Sequence, residues 1–166
     1  MTFALPHPNS LFDRLAARFP GMPAVPLSAG AFAGLLAATG AVAFHVPWAG
    51  APLLLAALAA DGWGQAEARR QDQQVSAATP LGVLMVPFGF GLNDPSRVLA
   101  AMFLMLGLSV FTSQRALAGR RGIRWMHWLA GLALVIACLL PDHFSLLAYL
   151  VGIACFASAG QGLAQK

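Results

Sequence analysis

Apolar residues in this chain do not alternate with polar ones. They run in long blocks separated by short polar or Pro- and Gly-bearing breaks. Six blocks approach the roughly twenty apolar residues that a helix needs to cross a bilayer, at 28–46, 50–68, 76–92, 97–116, 124–140 and 144–163. Backbone groups in hydrocarbon must pair within their own segment, so blocks of this kind predict continuous helices. The breaks HVPWAG (45–50), NDPS (93–96) and PDH (141–143) carry the Pro, Gly and Asn residues that stop one helix and turn the chain back. The expected fold is an all-α integral membrane protein with six transmembrane helices.

Two departures from this pattern matter. The second block is apolar only as far as Ala60, and AADGWGQAEARR (59–70) continues it with an acid, two glycines and a double arginine. A carboxylate at membrane depth is costly unless it is solvated, paired or metal-bound. Asp61 is therefore a candidate site residue, expected in a polar cavity or at the cytoplasmic mouth, with an ordinary helix end as the alternative. The other departure lies ahead of the first block. In PNSLFDRLAARF (8–19), Asn9 or Ser10 supplies a cap, Leu11, Phe12, Leu15, Ala16 and Phe19 share one face, and Asp13, Arg14 and Arg18 share another. This predicts an amphipathic helix lying in the membrane interface. PGMPAVP (20–26) follows as a stiff link that is not helical throughout. The chain thus divides into a cytoplasmic tail, 1–27, and a six-helix membrane domain, 28–166.

Composition sharpens the picture. Of 166 residues 58% are apolar and only 10% charged, which rules out a soluble domain. The basic balance does not indicate nucleic acid, because the cations sit at block ends rather than along one face. Arg14, Arg18, Arg69, Arg70, Arg115, Arg120, Arg121, Arg124 and Lys166 fall on one side of the predicted topology and only Arg97 on the other. By the positive-inside rule both termini are cytoplasmic, which fits a bacterial inner (plasma) membrane. Cys138 and Cys155 lie within blocks without metal-ligand spacing and read as packing residues. His7, His45, His127 and His143 are scattered. Trp48, Trp125, Trp128 and Tyr149 read as interfacial anchors. Gly30 and Gly34 have the spacing of a helix-packing face. Pro80 and Pro87, with Gly82, Gly89 and Gly91, make the third block breakable, as in some carriers.

The acidic stretch at the end of the second block, together with VPFGFGLNDPSRVLAAMFL (86–104) and PDHFSLLAYLVGIACFASAG (141–160), resembles the CDP-alcohol phosphatidyltransferase family of phospholipid synthesis. The resemblance covers about residues 23 to 163. It implies six short spans after a juxtamembrane helix, a dimeric assembly, a CDP-linked lipid substrate and a motif D-x-x-D-G-x-x-A-R, eight residues, G-x-x-x-D-x-x-x-D. In the family the first three aspartates hold two divalent metals, Mg or Mn, and the last acts as base. Clustered oxygens suit hard cations that clamp a displacement at phosphorus.

Laid on this chain from Asp61, the pattern keeps Asp61, Ala68 and Arg69. Gly64, Gln65, Ala78, Gly82 and Val86 stand where the second aspartate, the two glycines and the last two aspartates belong. Sliding the frame to make Asp61 and Gly62 the D-G pair puts Gln65 and Ala66 where Ala-Arg belongs. Ala24 and Leu27 also replace polar residues expected ahead of the first span. The resemblance thus implies a scaffold kept and a chemistry lost: a non-catalytic or regulatory partner, in a homodimer or a heterodimer with an active homologue. Asp61 is the metal ligand that survives, and Gln65, Arg69 and Arg70 are candidates for a phosphate or lipid headgroup, with topological anchoring the alternative for both arginines. Two other readings stay open: an active transferase with an atypical metal site at Asp61, and a small lipid-handling or carrier protein.

Overall fold

The computed structural model describes residues 24–71, 78–117 and 125–164, together with Phe12, Arg14, Ala17 and Arg18. Six helices account for nearly all of them: α1 (Ala24–Ala43), α2 (Pro47–Arg70), α3 (Ala78–Asn93), α4 (Val98–Leu117), α5 (Trp125–Leu139) and α6 (Phe144–Ala164), with single 3-10 turns at Pro95–Arg97 and Pro141–His143. Among the described residues there is no strand. Among the described residues three stretches, Pro26–Ala43, Pro95–Gln114 and Pro141–Gly160, are long and apolar enough to cross a membrane, and Val83–Asn93 and Met126–Leu139 are apolar but shorter. These features mark an all-helical membrane protein.

Each predicted block holds one helix, and the differences lie at the ends. The first helix begins at Ala24 rather than 28, so the last three residues of the expected link, 24–26, are helical. Pro26 sits in the first turn, where its missing N–H has no intrahelical partner to lose. The third block does not break. α3 runs unbroken from Ala78 to Asn93 through Pro87, whose missing N–H removes one backbone hydrogen bond without ending the helix. Of the segment 8–19, Phe12, Arg14, Ala17 and Arg18 are helical, and the remaining residues lie outside those described.

The helices close a ring. α1 packs on α2 and α3, α2 on α5, α5 on α6, α6 on α4, and α4 on α3. Leu54, Val86, Leu104, Leu108 and Met126 are among the side chains buried in the common core, where the rings of Phe90 and Phe144 stack with centroids 4.1 Å apart. Lipid removes most of the hydrophobic drive between helices, so close approach of backbones must hold them. Glycines permit it. A Cβ on Gly89 would lie 2.7 Å from the Thr39 carbonyl oxygen, and one on Gly34 would lie 3.0 Å from the Ala57 Cβ. Gly30, paired with Gly34 by spacing, has nothing within 4 Å, so only one of the two makes a helix contact.

At one end of the ring polar groups tie the three turns together. α1 ends in a pair of tail bonds, Val46 N–H to Ala41 O and His45 N–H to Val42 O, with His45 in the left-handed region at φ 63°. A glycine is usual there. Asn93, the last residue of α3, donates through Nδ2 to the Val42 carbonyl at 2.9 Å and lies 2.8 Å from His45 Nδ1. An amide nitrogen has only hydrogens to offer, so His45 Nδ1 accepts and its proton sits on Nε2. In the next turn Asp94 caps Pro95–Arg97 by accepting from Ser96 N–H and Oγ–H. Arg97 then bridges Asp94 at 3.1 Å and Asp142 of the third turn at 3.6 Å.

Candidate functional site

The opposite end holds the acidic stretch, and α2 carries all of it. Leu54 and Leu58 lie on the buried stripe of α2, and steps of three and four residues extend that stripe through Asp61, Gln65 and Ala68. Helical periodicity therefore carries a carboxylate and a carboxamide inward on the same face that buries leucines nearer the middle. Asp61 is 8% exposed and Gln65 7%. Gln65 Nε2 donates to Asp61 Oδ2 across one helical turn, the geometry that an i, i+4 pair provides. Asp61 is thus not in an open mouth. It is buried and hydrogen-bonded within its own helix.

Glu67 is buried as well, and accepts from Gln71 Nε2 at 3.0 Å. The end of α2 is crowded on two sides. The start of α1 packs on Gly64: a Cβ there would lie 3.1 Å from the Leu27 Cβ and 3.5 Å from both the Ala24 carbonyl oxygen and Ser28 Oγ. Ala24 and Leu27, the two apolar replacements ahead of the first span, are the residues that close on α2. On another side, Gly62 lies under the ring of Phe12, which would stand 2.8 Å from an added Cβ.

The remaining motif positions fall as follows. Ala68 is buried. Val86, in the place of the last aspartate, is fully buried in the apolar core. Arg69 and Arg70 form the end of α2 and Ala78 and Gly82 lie in the first turns of α3, but the side-chain surroundings of these four lie outside the described residues. Asp61 and Gln65 are therefore the two motif positions brought together by a side-chain hydrogen bond. Among the described residues no group of three or more His, Cys, Asp or Glu side chains is arranged to hold a metal. A pair of Mg or Mn ions needs several oxygen ligands, and Gly64, backed by Leu27, and Val86, sunk in the core, offer none. The described residues at these positions do not supply the ligands of a two-metal centre.

Sequence reasoning missed three joints. One is the Phe12–Gly62–Trp128 contact, with the Phe12 and Trp128 rings 5.4 Å apart, so that Trp128 packs inside the protein rather than serving only as an interfacial anchor. Another joins α4 to α5: Thr112 Oγ1 donates to the Leu108 carbonyl at 2.7 Å and lies 3.2 Å from His127 Nε2. With its own hydrogen committed, Thr112 accepts from His127 Nε2–H. The third is the Asn93–His45 clamp. These pairs are separated by 15 residues or more in sequence, and no periodicity connects them.

No family model matches the chain, and no curated protein or solved structure matches it either. The functional reading rests on the residues themselves.

Proposed function

We propose that this chain is a catalytically degenerate relative of the CDP-alcohol phosphatidyltransferases, a non-catalytic partner that stabilises or regulates an active homologue in the same membrane. All six helices cross, both termini are cytoplasmic, the segment around Phe12 lies along the inner interface, and the membrane is the bacterial inner one. The observation that supports this reading best is the packing at the motif. The start of α1 rests on Gly64 and Val86 is buried in the apolar core, which supports a site without the second and last aspartates of the motif. Asp61 and Gln65 keep a polar pair at the inner end of α2, near the arginines that end the helix, which suits a lipid phosphate at the membrane surface.

The test is purification of the tagged chain from its own membrane in mild detergent, followed by assay for CMP release from CDP-diacylglycerol with magnesium. The isolated chain is expected to be inactive, and the material drawn down from native membranes active through its partner. Activity in the isolated chain, lost in Asp61→Asn, supports instead a transferase with an atypical metal site. Native material with no transferase attached contradicts the partner role.

A further inference from the structure

Among the described residues His45 is the one non-glycine position with a positive φ, 63°. Glycine takes such a position after a helix without strain, so a histidine there is expected to do something that glycine cannot. Its ring is exposed, and Nδ1 stands 2.8 Å from Asn93 Nδ2, the nitrogen that also donates to the Val42 carbonyl at 2.9 Å. Both hydrogens of one amide are thereby engaged on the end of α1, one by its backbone and one by the turn that follows. One helical turn further in, a Cβ on Gly89 would lie 2.7 Å from the Thr39 carbonyl oxygen. The two bonds therefore fix α1 to α3 just outside a place where their backbones nearly touch. α1, α3 and the part of α2 ahead of Asp61 carry no charged side chain. The ionisable groups around His45 come from the other two turns: Asp94, Arg97, Asp142 and His143. Arg97 pairs with both aspartates, and among the described residues the polar contact of the His45 ring is with Asn93.

We propose that His45 and Asn93 form a proton-operated clamp between α1 and α3, closed while His45 is neutral and loosened when its ring takes a proton at Nδ1. The nitrogen that accepts in the neutral ring becomes a donor in the imidazolium, and it then faces the hydrogens of Asn93. Turning the amide over offers His45 an oxygen but withdraws the donor from the Val42 carbonyl. In either arrangement one of the two bonds that join the end of α1 to α3 is lost. The positive charge is itself acceptable here, because α1 ends at this point and a helix C-terminus favours a cation. What the proton removes is the acceptor. The ring is exposed, so acid on the side of the three turns reaches it without any prior opening of the helices. This inference does not rest on the family reading.

The experiment follows hydrogen exchange in the full-length protein in detergent micelles, at the amides of Phe44, His45 and Val46, which bond to the carbonyls of Gly40, Val42 and Ala41. Protection of such amides tracks local opening. Between about pH 8 and about pH 5, the range in which an imidazole changes charge, their protection is expected to fall about fivefold beyond the intrinsic pH dependence of exchange, the factor that one ordinary hydrogen bond makes in an equilibrium. In His45→Asn, whose side chain does not titrate and tolerates left-handed backbone, protection should not change with pH. Asn93→Ala should show the lowered protection at both ends of the range, and His143→Asn should behave as the natural chain does. An equal fall in the natural chain and in His45→Asn overturns the proposal. So does a matched fall at the Leu140 and His143 amides of the third turn in His143→Asn, which would mean general loosening in acid. Nitrogen spectra of the histidine rings give a check that needs no folded variant: at about pH 8 His45 is expected to carry its proton on Nε2, and a proton on Nδ1 there would overturn the proposal.

Discussion

Val86 stands where the family resemblance calls for the last aspartate, and it is fully buried among apolar side chains. A carboxylate there has no water and no designed partner, so Val86→Asp is expected to destabilise the protein by about 3 kcal/mol or more, read as a lowered midpoint for unfolding in mixed micelles. A stable Val86→Asp variant would mean that the inner core is wetter than described. Asp94 makes the opposite case of an exposed carboxylate with a defined role. Hydrogen bonds from the Ser96 hydroxyl and amide, then Arg97, hold its pKa below the ordinary aspartate value of 3.8. The folded state therefore favours the ionised form, and the stability this contributes is present above pH 3.8 and lost as pH falls through the lowered value. The thermal midpoint should drop more steeply between about pH 5 and about pH 3 in the natural chain than in Asp94→Asn. Equal slopes would show that the turn does not depend on the charge.

At the scale of elements, the helices hold one another through backbone approach, and two glycines of similar sequence setting predict different outcomes. Gly89→Ala places a methyl 2.7 Å from the Thr39 carbonyl oxygen, a backbone atom that cannot swing aside. α1 and α3 must separate, at a cost of about 1–3 kcal/mol. Gly30→Ala meets nothing within 4 Å and should be neutral or stabilising by up to about 1 kcal/mol through helix propensity. Unfolding midpoints of the two variants, measured side by side, check the contrast. Much of this level was legible in advance. The apolar blocks located all six helices, because length and composition determine where a chain can bury its backbone bonds. Their ends moved by up to four residues, since Pro26 and Pro47 fit in first turns. The candidate site was legible only in part. The i, i+4 spacing of Asp61 and Gln65 places them on one face, but nothing local in the sequence says that Leu27 and Phe12 close over Gly64 and Gly62.

At the scale of the molecule, polarity divides the two ends of the ring. The lone outer arginine, Arg97, is met by Asp94 and Asp142, while the remaining nine cations all belong to the other side of the proposed topology. A membrane-impermeant maleimide should label Ser96→Cys in intact cells and Gln71→Cys only after the membrane is opened; the reverse pattern would invert the topology. The end of the ring that holds Asp61 is packed by the start of α1 on one side of α2 and by Phe12 on another, and the buried carboxylate there is hydrogen-bonded within its own helix. The claim at stake is the proposed one, that a transferase scaffold is kept here without its two-metal chemistry. The most direct test of that claim is a thermal-shift titration of the purified chain with CDP-diacylglycerol, with and without magnesium or manganese. A ligand bound only by the folded state at a hundred times its dissociation constant stabilises by about 2.7 kcal/mol. The account predicts no metal-dependent rise in the melting midpoint, and a metal-dependent rise that vanishes in Asp61→Asn would contradict it.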